Sequence, residues 1–142
     1  RHTRLRTVTG VQTCALPISA ELGGYQGSAY VVRRGWAKDN EAQVIAWLRA
    51  LIAAHEWIFD NRGGALEVLK SNVKGLSDAD AQAIYANLTG GAGALNRRAE
   101  LNMRGMDTVL SLRAEFAEPS KRLTDPNKYV DLSFHRRATG AR

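Results

Sequence analysis

Three histidines, His2, His55 and His135, are the side chains of this sequence that could bind a transition metal. They lie far apart, and none has a second ligand at the spacing that a metal site requires. His55 also lies in a long apolar stretch, where we expect it to pack in the core rather than to act as a ligand. The sequence therefore predicts no metal site and no cofactor.

Two neighbouring carboxylates, Asp78 and Asp80, could form an acid and base pair. They directly follow Ser77, however, and carboxylates in the first turn of a helix are stabilised by the helix dipole. No Gly-x-Ser-x-Gly elbow and no Cys–His arrangement is present to activate a nucleophile. We therefore expect a protein that is not an enzyme.

Three tryptophans, Trp36, Trp47 and Trp57, could line a ligand site. Their spacing around one long apolar segment is more typical of packing in a core or on the surface of a lobe. Both interpretations remain open at this point.

The net charge of +6 does not indicate a nucleic-acid partner. Arg1, Arg4 and Arg6 contribute three of the 20 basic residues, which leaves 17 against 14 acidic residues in the rest of the chain. The remaining arginines are scattered among acids, whereas a nucleic-acid footprint clusters on one face. We expect no nucleic-acid binding.

The segment from Val8 to Ile18 resembles the conceptual translation of a common sequencing-adapter oligonucleotide. The resemblance implies that residues 1–19 are a non-native, unstructured peptide and that residues 20–142 are the native part of a cut gene. Cys14 then carries no functional information. The alternative is a native disordered arm.

Deleting residues 1–19 is accordingly expected to leave the melting temperature unchanged, because this segment has no amphipathic period that could pack. Thermal unfolding of the full and shortened chains measures the difference. A large loss of stability would contradict the interpretation.

The native part predicts one strand followed by helices. Gly27 to Arg33 is a β-branched and aromatic run bounded by glycine, which is typical of a strand. Asn40, with Gln43 three residues later, predicts a capping box for a helix over 41–59. That helix is apolar on almost every side, so we expect burial on more than one face, with Leu48 in the core.

Four shorter helices are expected after it. Gly63-Gly64 predicts an interruption before a helix over 65–72, and Gly75 predicts the C-terminal cap of that helix. Ser77 and Asn102 predict the N-caps of the next two helices, and the last helix is expected over 129–138. The fold class expected is a mainly α segment with one strand and about five helices, whose strand lacks a partner.

Several segments together resemble one family, that of the nitrate, sulfonate and taurine type of solute-binding proteins of ABC importers, which are similar to thiamine-pyrimidine synthases. Each segment alone is weakly specific, but their order and spacing cover most of residues 23–138. They are Tyr30–Ala37, Asn40–Ala50, Glu56–Asn61, Gly64–Leu69, Leu112-Arg113 and Asp125–Ser133.

The resemblance implies a C-terminal fragment of an α/β two-lobe periplasmic binding protein of type II. It also implies a small-molecule solute, a membrane permease as partner, and a periplasmic or cell-surface location for the full-length protein, with the signal peptide absent from this fragment. Tyr25, Gln26 and Ser28 are the residues expected near the ligand cleft. An ordinary turn before the strand is the alternative reading of these three residues.

Two other functions remain open. A pyrimidine-synthase-like enzyme on the same fold would be expected to carry a Cys-rich, iron-associated motif, which this sequence lacks. A free-standing helical interaction module is the other alternative. The predicted lone strand and the helix that is apolar on almost every side both argue against it.

Overall fold

A computed structural model describes residues 24–90 and 94–140, and within them the chain forms six α-helices and no strand. A short 3-10 helix, Pro126–Lys128, precedes the last of the six. The helices are α1 (Arg34–Asp39), α2 (Glu41–Asp60), α3 (Arg62–Asn72), α4 (Asp78–Thr89), α5 (Met103–Phe116) and α6 (Ser133–Thr139).

The described residues divide into two compact units. The first unit consists of residues 24–27 and Asn102–Pro126, and contains α5. The second unit consists of Ser28–Leu101 and residues 127–140, and contains the other five helices. The predicted adapter-like peptide, residues 1–19, lies outside the described residues.

The predicted strand from Gly27 to Arg33 is wrong. This segment is non-helical and exposed, but no other part of the described chain pairs with it. A strand is stabilised by the hydrogen bonds and cross-strand packing that a partner provides, so a β-favouring run without one remains irregular. The expected fold class, a mainly α segment with one strand and about five helices from an α/β two-lobe protein, is thus corrected to an all-helical one where the chain is described.

The long helix α2 organises the second unit, since α1, α3 and α6 all pack against it. The helix was predicted over 41–59 and is confirmed with one further residue. Its burial is less than expected: Ile52 is its only buried residue, Leu48 is half-buried, and Trp47 and Trp57 are exposed. The second unit therefore has a small core.

The predicted capping box at the start of α2 does not form. The side chain of Asn40 makes no cap hydrogen bond to α2. Its Nδ2 instead donates to the carbonyl oxygen of Trp36 over 2.9 Å and so closes the end of α1. One residue separates the two helices, and Asn40 serves the C-terminus of the earlier one.

The glycine pair before α3 does not interrupt it, contrary to expectation, because α3 begins at Arg62. Its N-cap is Asn61, whose Oδ1 accepts a hydrogen bond from the backbone nitrogen of Gly64 over 3.1 Å. A Cβ atom on Gly64 would lie 2.8 Å from the ring of Trp57. Glycine at this position therefore allows the first turn of α3 to approach the tryptophan.

Helix α4 agrees with its prediction. The Oγ of Ser77 accepts a hydrogen bond from the backbone nitrogen of Asp80 over 3.1 Å, which is the predicted N-cap. Ala81 and Tyr85 of this helix are buried. Before α4, Gly75 has a left-handed backbone, with φ of 76°. The predicted C-terminal cap of α3 at Gly75 is wrong, because the C-cap is Val73 in an extended conformation.

The hydroxyl of Tyr85 joins α4 to the end of α2 by donating to the carbonyl oxygen of Ile58 over 3.0 Å. Tyr85→Phe is expected to lower the free energy of unfolding by about 1 kcal/mol, because it removes one partly buried hydrogen bond and leaves the packing intact. Urea unfolding followed by circular dichroism measures the change. Tyr129→Phe, at an exposed tyrosine, is the matched control and is expected to have no effect.

In the first unit, Asn102 caps α5 as predicted. Its Oδ1 accepts a hydrogen bond from the backbone nitrogen of Gly105 over 3.0 Å. Leu110 is buried in this helix, whereas Phe116 at its end is exposed. The helix ends at Phe116, three residues before Pro119.

The last helix is shorter than predicted. The expected span of 129–138 contains only α6, which begins at Ser133, while Pro126–Lys128 forms the short 3-10 helix. The Oδ1 of Asp131 accepts a hydrogen bond from the backbone nitrogen of Ser133 over 2.9 Å. This contact fixes the start of α6.

The Ser133 side chain, with its backbone amide, holds the pKa of Asp131 below the ordinary aspartate value of 3.8, and Arg136 and Arg34 act in the same direction. A carboxyl group whose pKa is lower in the folded state stabilises the fold at pH values above its unfolded-state pKa. This stabilisation is lost as the pH falls through the folded-state pKa. Asp131→Asn is therefore expected to be less stable than the parent chain at pH 6 and to converge with it below pH 3.8. Urea unfolding of both chains across this pH range measures the difference in their free energies of unfolding. If that difference were as large at pH 2 as at pH 6, the lowered pKa of Asp131 would be contradicted.

Candidate functional site

The predicted ligand residues Tyr25 and Gln26 lie in the first unit, against the start of α5. The Oε1 of Gln26 accepts a hydrogen bond from the backbone nitrogen of Asn102 over 2.8 Å. The backbone of both residues passes so close to Gly105 that a Cβ atom there would lie 2.6 Å from the Gln26 nitrogen. This segment therefore has a structural role in addition to any contact with a ligand.

The side chains of the three predicted ligand residues differ in exposure. Tyr25 is 51% exposed, and Gln26 is half-buried. Ser28 is exposed and belongs to the second unit. Tyr25 and Ser28 thus present their side chains to solvent, while Gln26 uses its carbonyl oxygen within the protein.

Two of the histidines hold one irregular segment of the second unit, residues 96–98. The Nδ1 of His55 contacts the carbonyl oxygen of Asn96 at 2.8 Å, and the Nε2 of His135 contacts the carbonyl oxygen of Arg98 at 2.8 Å. Since a carbonyl oxygen only accepts, each ring nitrogen must be the donor. Both imidazoles are therefore fixed as backbone donors, and His2 lies outside the described residues.

Further contacts hold the same segment. The Oδ1 of Asn96 accepts hydrogen bonds from the backbone nitrogens of Arg98 and Glu100, over 2.9 and 3.2 Å. The guanidinium of Arg97 pairs with Asp60 and lies 5.5 Å from the ring centre of Phe59. The segment is thus fastened to the end of α2 and to α6.

The sequence suggested only part of this arrangement. His55 was expected to pack rather than to bind a metal, and it is half-buried with a backbone partner. The pairing of two histidines with carbonyl groups about 40 residues away could not be read from their spacing, since both contacts are tertiary. Within residues 24–90 and 94–140, no group of three His, Cys, Asp or Glu side chains could hold a metal ion.

The tryptophans do not enclose a ligand site in the described chain. Trp36, Trp47 and Trp57 are each nearly half exposed. Trp47 contacts the ring of Tyr30 edge to face, with ring centres 4.6 Å apart, and Trp57 packs near Gly64. These contacts agree with the interpretation of the tryptophans as surface packing residues.

One open depression lies between α3 and α4. It has a volume of about 160 Å³, and Leu66, Lys70, Asp78, Ala81 and Gln82 line it. Lys70 and Asp78 already pair with each other across 2.9 Å. The depression is smaller than the several hundred Å³ typical of a small-molecule pocket, and its two charges neutralise each other.

Comparison with known proteins gives no match: no family model, no curated protein and no solved structure is similar to this chain. No helix among residues 24–90 and 94–140 has the length and apolar character needed to cross a lipid bilayer.

Proposed function

We propose that this chain is a helical C-terminal part of the solute-binding component of an ABC importer. Its solute would be nitrate, a sulfonate, taurine or a related small organic anion, and the full-length protein would act in the periplasm or at the cell surface beside a membrane permease. The order of the family-like segments, from Tyr30–Ala37 to Asp125–Ser133, supports this proposal. The proposed role is binding, without a catalytic step.

The observation that carries the proposal is the exposure of the aromatic residues in those same segments. Tyr30 is 73% exposed, and Trp36 and Trp47 are nearly half exposed. Large apolar side chains grouped on a surface are typical of a region that packs against further protein. This suits a chain that supplies packing surface to a larger solute-binding protein.

In this proposal, Tyr25 and Ser28 are candidate ligand residues, each within its own unit, and Gln26 positions the segment of Tyr25 through its hydrogen bond to Asn102. A cleft ligand requires groups from several elements that together remove it from water. The isolated chain is therefore expected to bind no solute of this class with micromolar affinity.

Titration calorimetry tests both statements. The full-length protein from an intact gene and the isolated chain are each titrated with nitrate, taurine, alkanesulfonates and aromatic acids. Micromolar binding by the full-length protein alone is the expected result. Failure of the full-length protein to bind any of these anions would overturn the proposed function, and micromolar binding by the isolated chain would mean that it already contains a complete site.

A second candidate is a free-standing helical interaction module, which the all-helical structure of the described residues favours. The predicted strand and the apolar helix over 41–59 were the two arguments against this candidate. The strand is not formed in the described chain, and the helix buries only Ile52. The two functions differ in the behaviour of the isolated chain. A monodisperse chain with one cooperative unfolding transition would favour the module, whereas self-association through exposed aromatic residues would favour a part of a larger protein.

A further inference from the structure

Four pairs of adjacent basic residues lie in the described chain, and their surroundings differ. The pairs are Arg33-Arg34, Arg97-Arg98, Lys121-Arg122 and Arg136-Arg137. A serine protease with a carboxylate in its specificity pocket cleaves after such residues, but only where several residues of backbone can lie extended in its active site. The structure therefore decides which pair is accessible to a protease.

Three of the pairs are held by contacts that a protease would have to break. The Arg33 carbonyl oxygen accepts the first hydrogen bond of α1, from Ala37 over 2.9 Å. The Arg98 carbonyl oxygen is bound by His135, as described above. Arg137 lies within α6 and pairs with Glu41 across 2.9 Å.

Lys121 and Arg122 lie in a different setting. Both are exposed, and they belong to the non-helical stretch 117–125 that follows α5. No hydrogen bond or ion pair to the described chain involves either residue. The two residues before them are each held by one hydrogen bond, from Arg113 to the Pro119 carbonyl oxygen over 3.4 Å and from the Ser120 hydroxyl to the Ala114 carbonyl oxygen over 3.0 Å. The bond from Arg122 to Leu123 can thus enter an active site without unfolding a helix, which lowers the free energy of the local opening that cleavage needs.

We propose that the Arg122–Leu123 peptide bond is a site of limited proteolysis by serine proteases of trypsin-like specificity. The serine oxygen attacks the Arg122 carbonyl carbon and displaces the amine of Leu123, which takes up a proton. Water then hydrolyses the acyl-enzyme and releases the Arg122 carboxylate. The net change is one peptide bond hydrolysed with one water molecule consumed.

The two pieces of the cleaved chain are expected to stay together through contacts within the second unit. Residues 127–140 contain α6, which packs against α2, and Arg137 and the Ala138 carbonyl contact Glu41 and Arg49. Cleavage therefore makes the C-terminal segment a non-covalently held piece, which can be released or exchanged.

The test is a time course of trypsin digestion of the full chain, followed by intact mass. Among residues 24–90 and 94–140, the first cut is expected after Arg122, and size-exclusion chromatography is expected to show the two pieces eluting together. The variant K121Q/R122Q should not give this product, and its uncut chain should disappear about tenfold more slowly. The variant K121R should keep the site, because it preserves the charge.

The variant R33Q/R34Q is the matched control, since it removes an exposed basic pair whose carbonyl belongs to a helix. It is expected to leave the cut after Arg122 unchanged, with circular dichroism confirming that every variant is folded. A first cut after Arg33, Arg98 or any other described basic residue would overturn the proposal. So would an unchanged digestion rate in folded K121Q/R122Q.

Discussion

Ile52→Asp is expected to unfold the second unit. Ile52 is only 8% exposed and is the one buried residue of α2, the helix against which α1, α3 and α6 pack. The substitution removes an apolar side chain and buries a carboxylate without a cation, which together cost about 3–5 kcal/mol. This loss is comparable to the whole free energy of unfolding of a small domain. Urea unfolding followed by circular dichroism should therefore show little or no folded baseline.

The adjacent residue supplies the control. Ala53 is exposed on the same helix, so Ala53→Asp is expected to cost only the difference in helix propensity, about 0.5–0.7 kcal/mol. Leu48→Asp should fall between the two variants, since Leu48 is half-buried. A stability for Ile52→Asp equal to that of Ala53→Asp would show that Ile52 is not in the core.

Gly105→Ala is expected to destabilise the first unit by about 2–3 kcal/mol. The new methyl group would lie 2.6 Å from the Gln26 nitrogen and 2.8 Å from the Tyr25 carbonyl carbon. Both are backbone atoms, so no side-chain rotation can relieve the clash, and the segment must move away from α5. Amide hydrogen exchange is the direct measurement, because the Asn102 amide donates to Gln26 and should lose its protection.

Gly63→Ala is the matched control for this variant. Gly63 also lies in a helix, but a Cβ atom added there meets nothing within 4 Å. Alanine restricts the unfolded chain more than glycine does, so a stabilisation of about 0.5–1 kcal/mol is expected. A Gly105→Ala variant that is likewise stabilised would mean that Tyr25 and Gln26 do not pack on α5 as described.

Two N-caps and the extent of α2 were predicted correctly. Ser77 and Asn102 accept hydrogen bonds from the backbone three residues later, and those contacts depend on adjacent residues alone. The extent of α2 likewise follows from its continuous helix-forming sequence. Asn40 shows where such predictions fail, because it lies between two helices and its side chain could cap either.

Other features depend on interactions with distant residues, and the sequence did not predict them. The segment before α1 has strand-favouring side chains, but a strand needs a partner that local sequence cannot reveal. His55 and His135 both bind carbonyl groups of the same distant segment, and only the packing of α2 and α6 brings them there. For the candidate ligand residues, the sequence placed them before the irregular segment but gave no sign that Gln26 would bond to Asn102.

The hydrogen bond between Gln26 and Asn102 joins residues 76 positions apart, and almost all of the intervening chain belongs to the second unit. Closing a flexible loop of that length costs more entropy than closing a short one, at about 0.6 kcal/mol for each doubling. A second unit that has already folded removes most of that cost, since it fixes the two ends of the intervening chain. The second unit is therefore expected to fold first and residues 24–27 to attach afterwards. The attachment depends on the second unit, but the second unit does not depend on the attachment. Loss of the second unit also weakens the first, whereas detachment of residues 24–27 leaves the core around Ile52 in place.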